Sequence, residues 1–382
     1  MSFRSKLRNN VPRVALESIT TLVVGDIKTG KTRLWKEVTE QHYVKPEEAI
    51  LMAFEDGYET WELDEIIPLH AEGADTDLWK VWDFFKKQVV PGLVEEAKNG
   101  RIAKLIGVDT VDRAIDACTA WILHDRKRKY GKTFESIQDI SESTGGKENG
   151  WTALGDELKK PFDTLKNAGY GLFYLGWTKE KETTLYDGRK YNSLQLAMAN
   201  TGRKVFASQA SLICCLHNEV NIFNKDGEVM EDNAKSKSGK ELASNFHESK
   251  TMMYFRPSEF IEIAGGRYTD LPDKVEYSAE NFLKVFEEAV KGQLKKTKTS
   301  VEDLKKNEEE EKEEKAKDTA EKLESPEALM EEIKGMIDSM TLDQKKIAAE
   351  GFEDAFGVKN YAQEKDNPEN LKIALSIVKK AV

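Results

Sequence analysis

Cysteine is scarce. The chain of 382 residues holds three, Cys118, Cys214 and Cys215. They make no C-x-x-C pair and no even set, which argues against a disulfide framework or a thiolate zinc site. Adjacent Cys214 and Cys215 would face opposite sides of a strand. Buried thiols in a reducing cytoplasm are therefore expected. The five histidines, His42, His70, His124, His217 and His247, fall at no zinc spacing. No apolar run approaches the roughly 20 residues of a membrane helix, so no membrane partner is expected. The N-terminal stretch MSFRSKLRNNVPR is basic but has no apolar segment behind it, so no secretory signal is expected.

A surplus of positive charge is also missing. The net charge is −11, with 39% hydrophobic and 33% charged residues. This acidity is uneven. Residues 301–382 carry 22 Asp/Glu against 14 Lys/Arg, a net of −8, which leaves −3 for the first 300 residues. A basic groove in the main body stays compatible with the composition.

What is present is a strand–helix alternation. Apolar runs at 19–25, 49–55, 102–109, 169–177 and 210–218 alternate with helical patterns such as 78–97 and 153–168. Near-continuous apolar runs suit strands covered on both faces, and the alternation predicts a mainly parallel α/β sheet. Residues 1–290 are expected to form this core. Residues 291–325 hold few apolar residues and many charges and read as a solvated linker, in part helical through Glu–Lys pairs. Residues 326–382 predict a small all-α C-terminal module. Ser325-Pro326 and Asn367-Pro368 mark helix starts there, and Leu329, Ile333 and Ile337 form a core-facing stripe. Trp79 and Trp82, three apart on a helix, are expected in a core.

The stretch VVGDIKTGKTRLW, 23–35, carries the most chemistry. It fits G-x-x-x-x-G-K-[ST] through Gly25, Gly30, Lys31 and Thr32, placed between an apolar strand and a helix. The loop residues Gly25, Asp26, Ile27, Lys28, Thr29 and Gly30, with Arg33 just beyond, would curl amides around a phosphate. Lys31 would reach the β- and γ-phosphates, and Thr32 would ligate Mg²⁺. The following helix adds its positive N-terminal end. ATP with Mg²⁺ is the expected cofactor.

Two further carboxylates fit such a site. Asp109 ends the strand AKLIGVD and would align the water shell of Mg²⁺; alternatively it caps the next helix. Glu55 ends the strand AILMAFE, at the edge where parallel sheets bind ligands, and is the expected base that orients water. A solvated turn carboxylate is the alternative for Glu55, and Asp56 is the substitute base.

Phosphate loop, strand ending in Glu, strand ending in Asp, then GLFYLGWTKEK: this order resembles the RecA-type ATPase core. It is more closely similar to phage nucleotide-binding proteins of the single-strand annealing and recombination type, a likeness supported by EIAGGRYTDLPDKVE at 262–276 and covering about residues 15–290. The resemblance implies a RecA-like P-loop NTPase fold, DNA-stimulated ATPase activity and a ring or filament of identical subunits. It places Thr178 where the γ-phosphate is read, although the RecA pattern carries Gln there. It also implies a Lys or Arg acting across the subunit interface, with Arg267, Lys250 and Arg256 as candidates. Two segments would line a channel for single-stranded DNA. The first, 124–151, offers Arg126, Lys127, Arg128, Lys129 and Lys132 with Tyr130 and Trp151. The second, 178–204, offers Arg189, Lys190, Arg203 and Lys204 with Tyr186 and Tyr191. A solvated basic helix end and a β-hairpin are the plain alternatives for these two segments. The acidic module at 326–382 would add a DNA contact, dock a protein partner such as a single-strand-binding protein, or regulate the DNA site of its own chain. Rival readings are a replication or packaging motor, a nucleotide-gated interaction protein and a small-molecule kinase.

Overall fold

A computed structural model describes residues 10–73, 77–223, 246–294, 299–338, 340–365 and 367–381. The basic stretch before residue 10 lies outside the described residues. The chain divides into two compact units. The first comprises 1–68, 103–113 and 171–306, and the second 69–102, 114–170 and 307–382.

The first unit contains all the strands: β1 (Thr20–Gly25), β2 (Ala49–Ala53), β3 (Ile66–Ile67), β4 (Leu105–Asp109), β5 (Gly171–Thr184), β6 (Lys190–Leu196), β7 (Leu212–Phe223), β8 (Phe246–Tyr254), β9 (Gly265–Gly266) and β10 (Lys274–Glu276). The main sheet runs β10-β8-β7-β1-β5-β4-β2-β3. From β7 to β3 every pairing is parallel, and β8 and β10 extend the sheet antiparallel. The parallel strands other than the two-residue β3 overlap the apolar runs. The register brings their C-terminal ends to one edge. Gly25 stands opposite Trp177 and Leu216, and Asp109 opposite Leu175 and Ala53. Helices α1 (Lys31–His42) and α8 (Ala279–Gln293) share one core with the sheet. Leu34, Trp35 and Val38 of α1 and Phe282, Val285 and Phe286 of α8 pack with Val23, Phe173, Leu175 and Cys214. On the other face Leu22, Val24, Ile106, Val108 and Tyr174 are buried as well, and the Phe206 ring meets Tyr174 at 4.9 Å. This two-sided burial is why the runs lack polar alternation.

β5 runs past the sheet and turns back. Residues 185–189 link it to antiparallel β6, with Gly188 at φ 85°. The hairpin expected around YDGRKY is therefore present.

The second unit is helical among its described residues. It includes α2 (Trp79–Phe84), α3 (Val90–Gly100), most of α4 (Val111–Tyr130), α5 (Ile137–Ser143), α6 (Gly150–Asn167), all but the first turns of α9 (Val301–Leu323), α10 (Pro326–Asp338), α11 (Leu342–Phe356) and α12 (Pro368–Ala381); the three-residue α7 (Asn200–Gly202) lies in the first unit. The segment 124–151 is thus mostly helix rather than loop. Ser136 caps α5 by accepting from the Asp139 amide, and Asn149 caps α6 by accepting from the Thr152 amide. Trp82 is buried as expected and donates to Glu157 Oε1 at 3.0 Å. Trp79 is only half-buried; its ring lies flat on His124 at 3.8 Å. All three cysteines are free and buried.

A solvated spacer at 291–325 is not what forms over residues 301–323. They make one helix with a buried stripe at Glu308, Lys312, Ala316 and Ala320. Arg101, its side chain 1% exposed, pairs with Glu309, and Thr319 donates to the Asn167 carbonyl at 2.9 Å. Two small alanines and the stems of charged residues suffice to seat such a helix. The tail helices α10 to α12 have their own core of Leu329, Ile333, Phe352, Leu371, Ala374 and Val378, with Ile337 packed against it.

Candidate nucleotide site

The loop from Gly25 to Thr32 joins β1 to α1. Gly30 sits at φ 93° and Lys28 at φ 62°, both left-handed. Alternating left- and right-handed residues turn backbone amides into a concave nest for an anion. Gly30 is the N-cap of α1, whose first amides, at Lys31, Thr32 and Arg33, have no acceptor within the helix. A 12-residue helix aims its positive end at the same point. Asp26 organises the loop: its carbonyl accepts from the Thr29 hydroxyl at 2.8 Å, and its carboxylate accepts from the Ile27 amide at 2.7 Å. Ile27 is 72% exposed and contributes backbone only.

Lys31 is buried. Its ammonium donates to the carbonyls of Gly25 at 3.1 Å and Asp26 at 2.8 Å. Burial pulls its pKa down, against the opposing pull of Asp109, Glu55, Asp112 and Asp26. Thr32 donates from Oγ1 to Asp109 Oδ2 at 2.6 Å. Asp109 is 1% exposed, and its other oxygen, Oδ1, is buried with no hydrogen-bond partner among the described residues. Burial pushes the Asp109 pKa up, partly offset by Thr32 and Lys31.

Glu55 lies two residues beyond β2, with its amide on the Asp109 carbonyl at 3.2 Å. A Cβ on Gly57 would lie 3.8 Å from Glu55 Oε1 and 3.9 Å from Thr32 Oγ1, so carboxylate and hydroxyl flank the same space. Burial, then the Asp109 charge, raises the Glu55 pKa to about 7; Lys31, Arg113 and the Thr110 hydroxyl act the other way. Asp56 is exposed. Thr178, one residue past the Trp177–Gly25 pairing, is 8% exposed, and its hydroxyl has no hydrogen-bond partner among the described residues.

Carboxylates that burial and mutual repulsion leave poorly satisfied are relieved by a divalent cation. The residues therefore fit Mg²⁺ at Thr32 and Asp109, with the orphaned Oδ1 as a seat for a metal-bound water. Nest, helix end, ammonium and hydroxyl fit a polyphosphate.

Mainly parallel sheet, glycine loop and paired carboxylates at one edge define a P-loop nucleoside triphosphatase. The sequence model of the AAA domain family matches residues 17–262, well over half of the chain. The protein belongs to that family and is a P-loop ATPase of the AAA type. No curated protein matches it.

The structure thus gathers Gly25 to Thr32, Glu55, Asp109 and Thr178 at one edge. Arg33 turns away to Glu37 at 2.7 Å and lies over the Tyr277 ring at 5.6 Å. Arg267 is exposed and donates to the Ser208 carbonyl at 3.0 Å; Lys250 approaches Glu276 at 4.0 Å, and Arg256 donates to the Thr269 carbonyl. Among the described residues, none of these three forms a hydrogen bond or ion pair with the loop of its own chain.

The basic candidates divide. Arg126 is held by Asp125 and by Glu148, whose Oε1 accepts from Nε at 2.6 Å. Arg189 pairs with Asp187, and Lys190 with Glu182, each at 2.7 Å. Arg203 donates to the Leu196 carbonyl at 2.8 Å. Lys127, Arg128, Lys129, Lys132 and Lys204 are exposed.

Sequence reasoning missed three residues. Tyr277 donates to the Gly30 carbonyl at 3.0 Å across 247 positions, and nothing local signals it. Asp112 and Arg113 lie in the first turn of α4; their spacing after Asp109 in GVDTVDR was the available clue.

Proposed function

We propose that the protein binds and hydrolyses Mg-ATP and couples this to single-stranded DNA in recombination, annealing or repair of the phage type. The observation that carries the catalytic part is the buried contact of Thr32 with Asp109, beside Lys31 and Glu55. Mg²⁺ held there would neutralise phosphate charge and orient the β- and γ-oxygens. Lys31 supplies a fixed ammonium to the loop. Glu55 accepts a proton from the attacking water, giving ADP and phosphate. The Thr178 hydroxyl donates to the terminal phosphate. Arg267 of a neighbouring copy completes the charge balance in a ring or filament.

The DNA reading draws its support from exposed Lys127, Lys129 and Lys132 beside Tyr130 at 41% and Trp151 at 43% exposure. Such residues meet phosphates and bases. In the hairpin Tyr186 is fully exposed. A second reading, a nucleotide-gated docking protein, draws on exposed Leu342, Ile347 and Ile373 in the tail helices. A partner such as a single-strand-binding protein would seat there.

ATP turnover with and without oligo(dT) tests both. Turnover stimulated by oligo(dT) and lost in Lys31→Ala supports the proposal. ATP binding with no oligo(dT) binding, in either nucleotide state, removes the DNA part and leaves the docking reading.

A further inference from the structure

We infer that Asp112 is a positioning residue: its carboxylate fixes the end of β5 and so sets Thr178 against the terminal phosphate. The inference rests on the reading of the site as a Mg-ATP site.

β5 outruns its neighbour. β4 ends at Asp109, opposite Leu175. Two residues further on, the Trp177 amide is held by a side chain: it donates to Asp112 Oδ2 at 2.7 Å. The Trp177 carbonyl accepts from the Ala197 amide at 2.9 Å, just past the end of β6. Trp177 is thereby fixed on both sides at the point where the hairpin leaves the sheet. Gly176 makes this possible. A Cβ there would stand 3.3 Å from Asp112 Oδ2 and 3.2 Å from Val111 Cγ2, tighter than side chains usually tolerate. Arg113 adds a second hold, its guanidinium 5.4 Å from the centre of the Trp177 ring.

The next residue is the one that matters. Trp177 pairs with Gly25, the first residue of the phosphate loop. Thr178 follows about 3.3 Å along the strand. It is 8% exposed, with a hydroxyl that meets no hydrogen-bond partner among the described residues. A buried hydroxyl left unsatisfied costs stability unless a ligand completes it. Asp112 is itself 8% exposed. A buried carboxylate that accepts from an amide gives a charge-assisted bond, shorter and stronger than a ladder bond. It holds Thr178 through Trp177, without touching the nucleotide.

The test is a double-mutant cycle on turnover and affinity. Asp112→Ala should lower kcat about tenfold, the worth of one charge-assisted bond, with the Kd for ATP within about twofold. Asp112→Asn keeps an acceptor oxygen and should recover most of the loss. Thr178→Val should lower kcat too, and adding Asp112→Ala to it should cost nothing more, because both act through one hydroxyl. Arg113 is exposed, so Arg113→Ala preserves the fold if Asp112→Ala does not. At a pH where Glu55 is fully ionised it should lower kcat about threefold and be silent in the Thr178→Val background. Equal losses in kcat and affinity, or effects that multiply, would overturn the inference, as would unchanged kcat in Asp112→Ala. Wild-type protein that fails to bind Mg-ATP overturns the reading of the site and this inference with it.

Discussion

Around the phosphate loop the protein buries polar atoms that meet no hydrogen-bond partner among the described residues: Asp109 Oδ1 and the Thr178 hydroxyl. At the end of α4 it does the reverse. Arg126 is 17% exposed and answered by Asp125 and Glu148, while the Tyr130 hydroxyl and Lys129 converge on the same Glu148. The first region stores unmet bonding capacity where water is excluded, which is costly unless a ligand supplies the partner. The second has spent much of its charge on its own fold. A basic residue in sequence is therefore weaker support for a partner than a buried, unpartnered oxygen in structure.

Four substitutions would break or sharpen this contrast. Glu55→Gln should lower kcat by about 10² to 10³ while ATP still binds, the span of a lost general base. The pH profile carries the sign. Glu55 with a pKa raised to about 7 is a base only when ionised, so wild-type kcat/KM, which reports the free protein, should climb through that pH, and the climb should vanish in Glu55→Gln. Ala316→Asp places a carboxylate at a fully buried position of α9 and should cost about 3 kcal/mol in denaturant unfolding. No change would restore the solvated-linker reading. Replacing Lys127, Lys129 and Lys132 together with Ala should weaken oligo(dT) binding and flatten its salt dependence by about 2 in log–log slope, with stability unaffected. Arg126→Ala should do the opposite, costing about 1 kcal/mol of stability with little change in the salt slope.

The core was legible because its signals are local. Apolar runs gave the strands, and the glycine spacing located the loop. Asp109 and Glu55 could be named because parallel strands deliver their last residues to one edge. Contacts across long separations were not legible. Tyr277 reaches Gly30 over 247 positions, and Asp112 reaches Trp177 over 65. The burial of helix α9 escaped for a different reason: its buried stripe includes Glu308 and Lys312, which composition counts as solvent-facing. The pairing of Arg126 escaped because Glu148 lies 22 residues away.

Calorimetric titration of the full-length protein with Mg-ATP tests the central claim most directly. Saturable heat for wild type, absent in Lys31→Ala and diminished when Mg²⁺ is chelated, is the outcome these contacts require. No heat from wild type at millimolar Mg-ATP would contradict it.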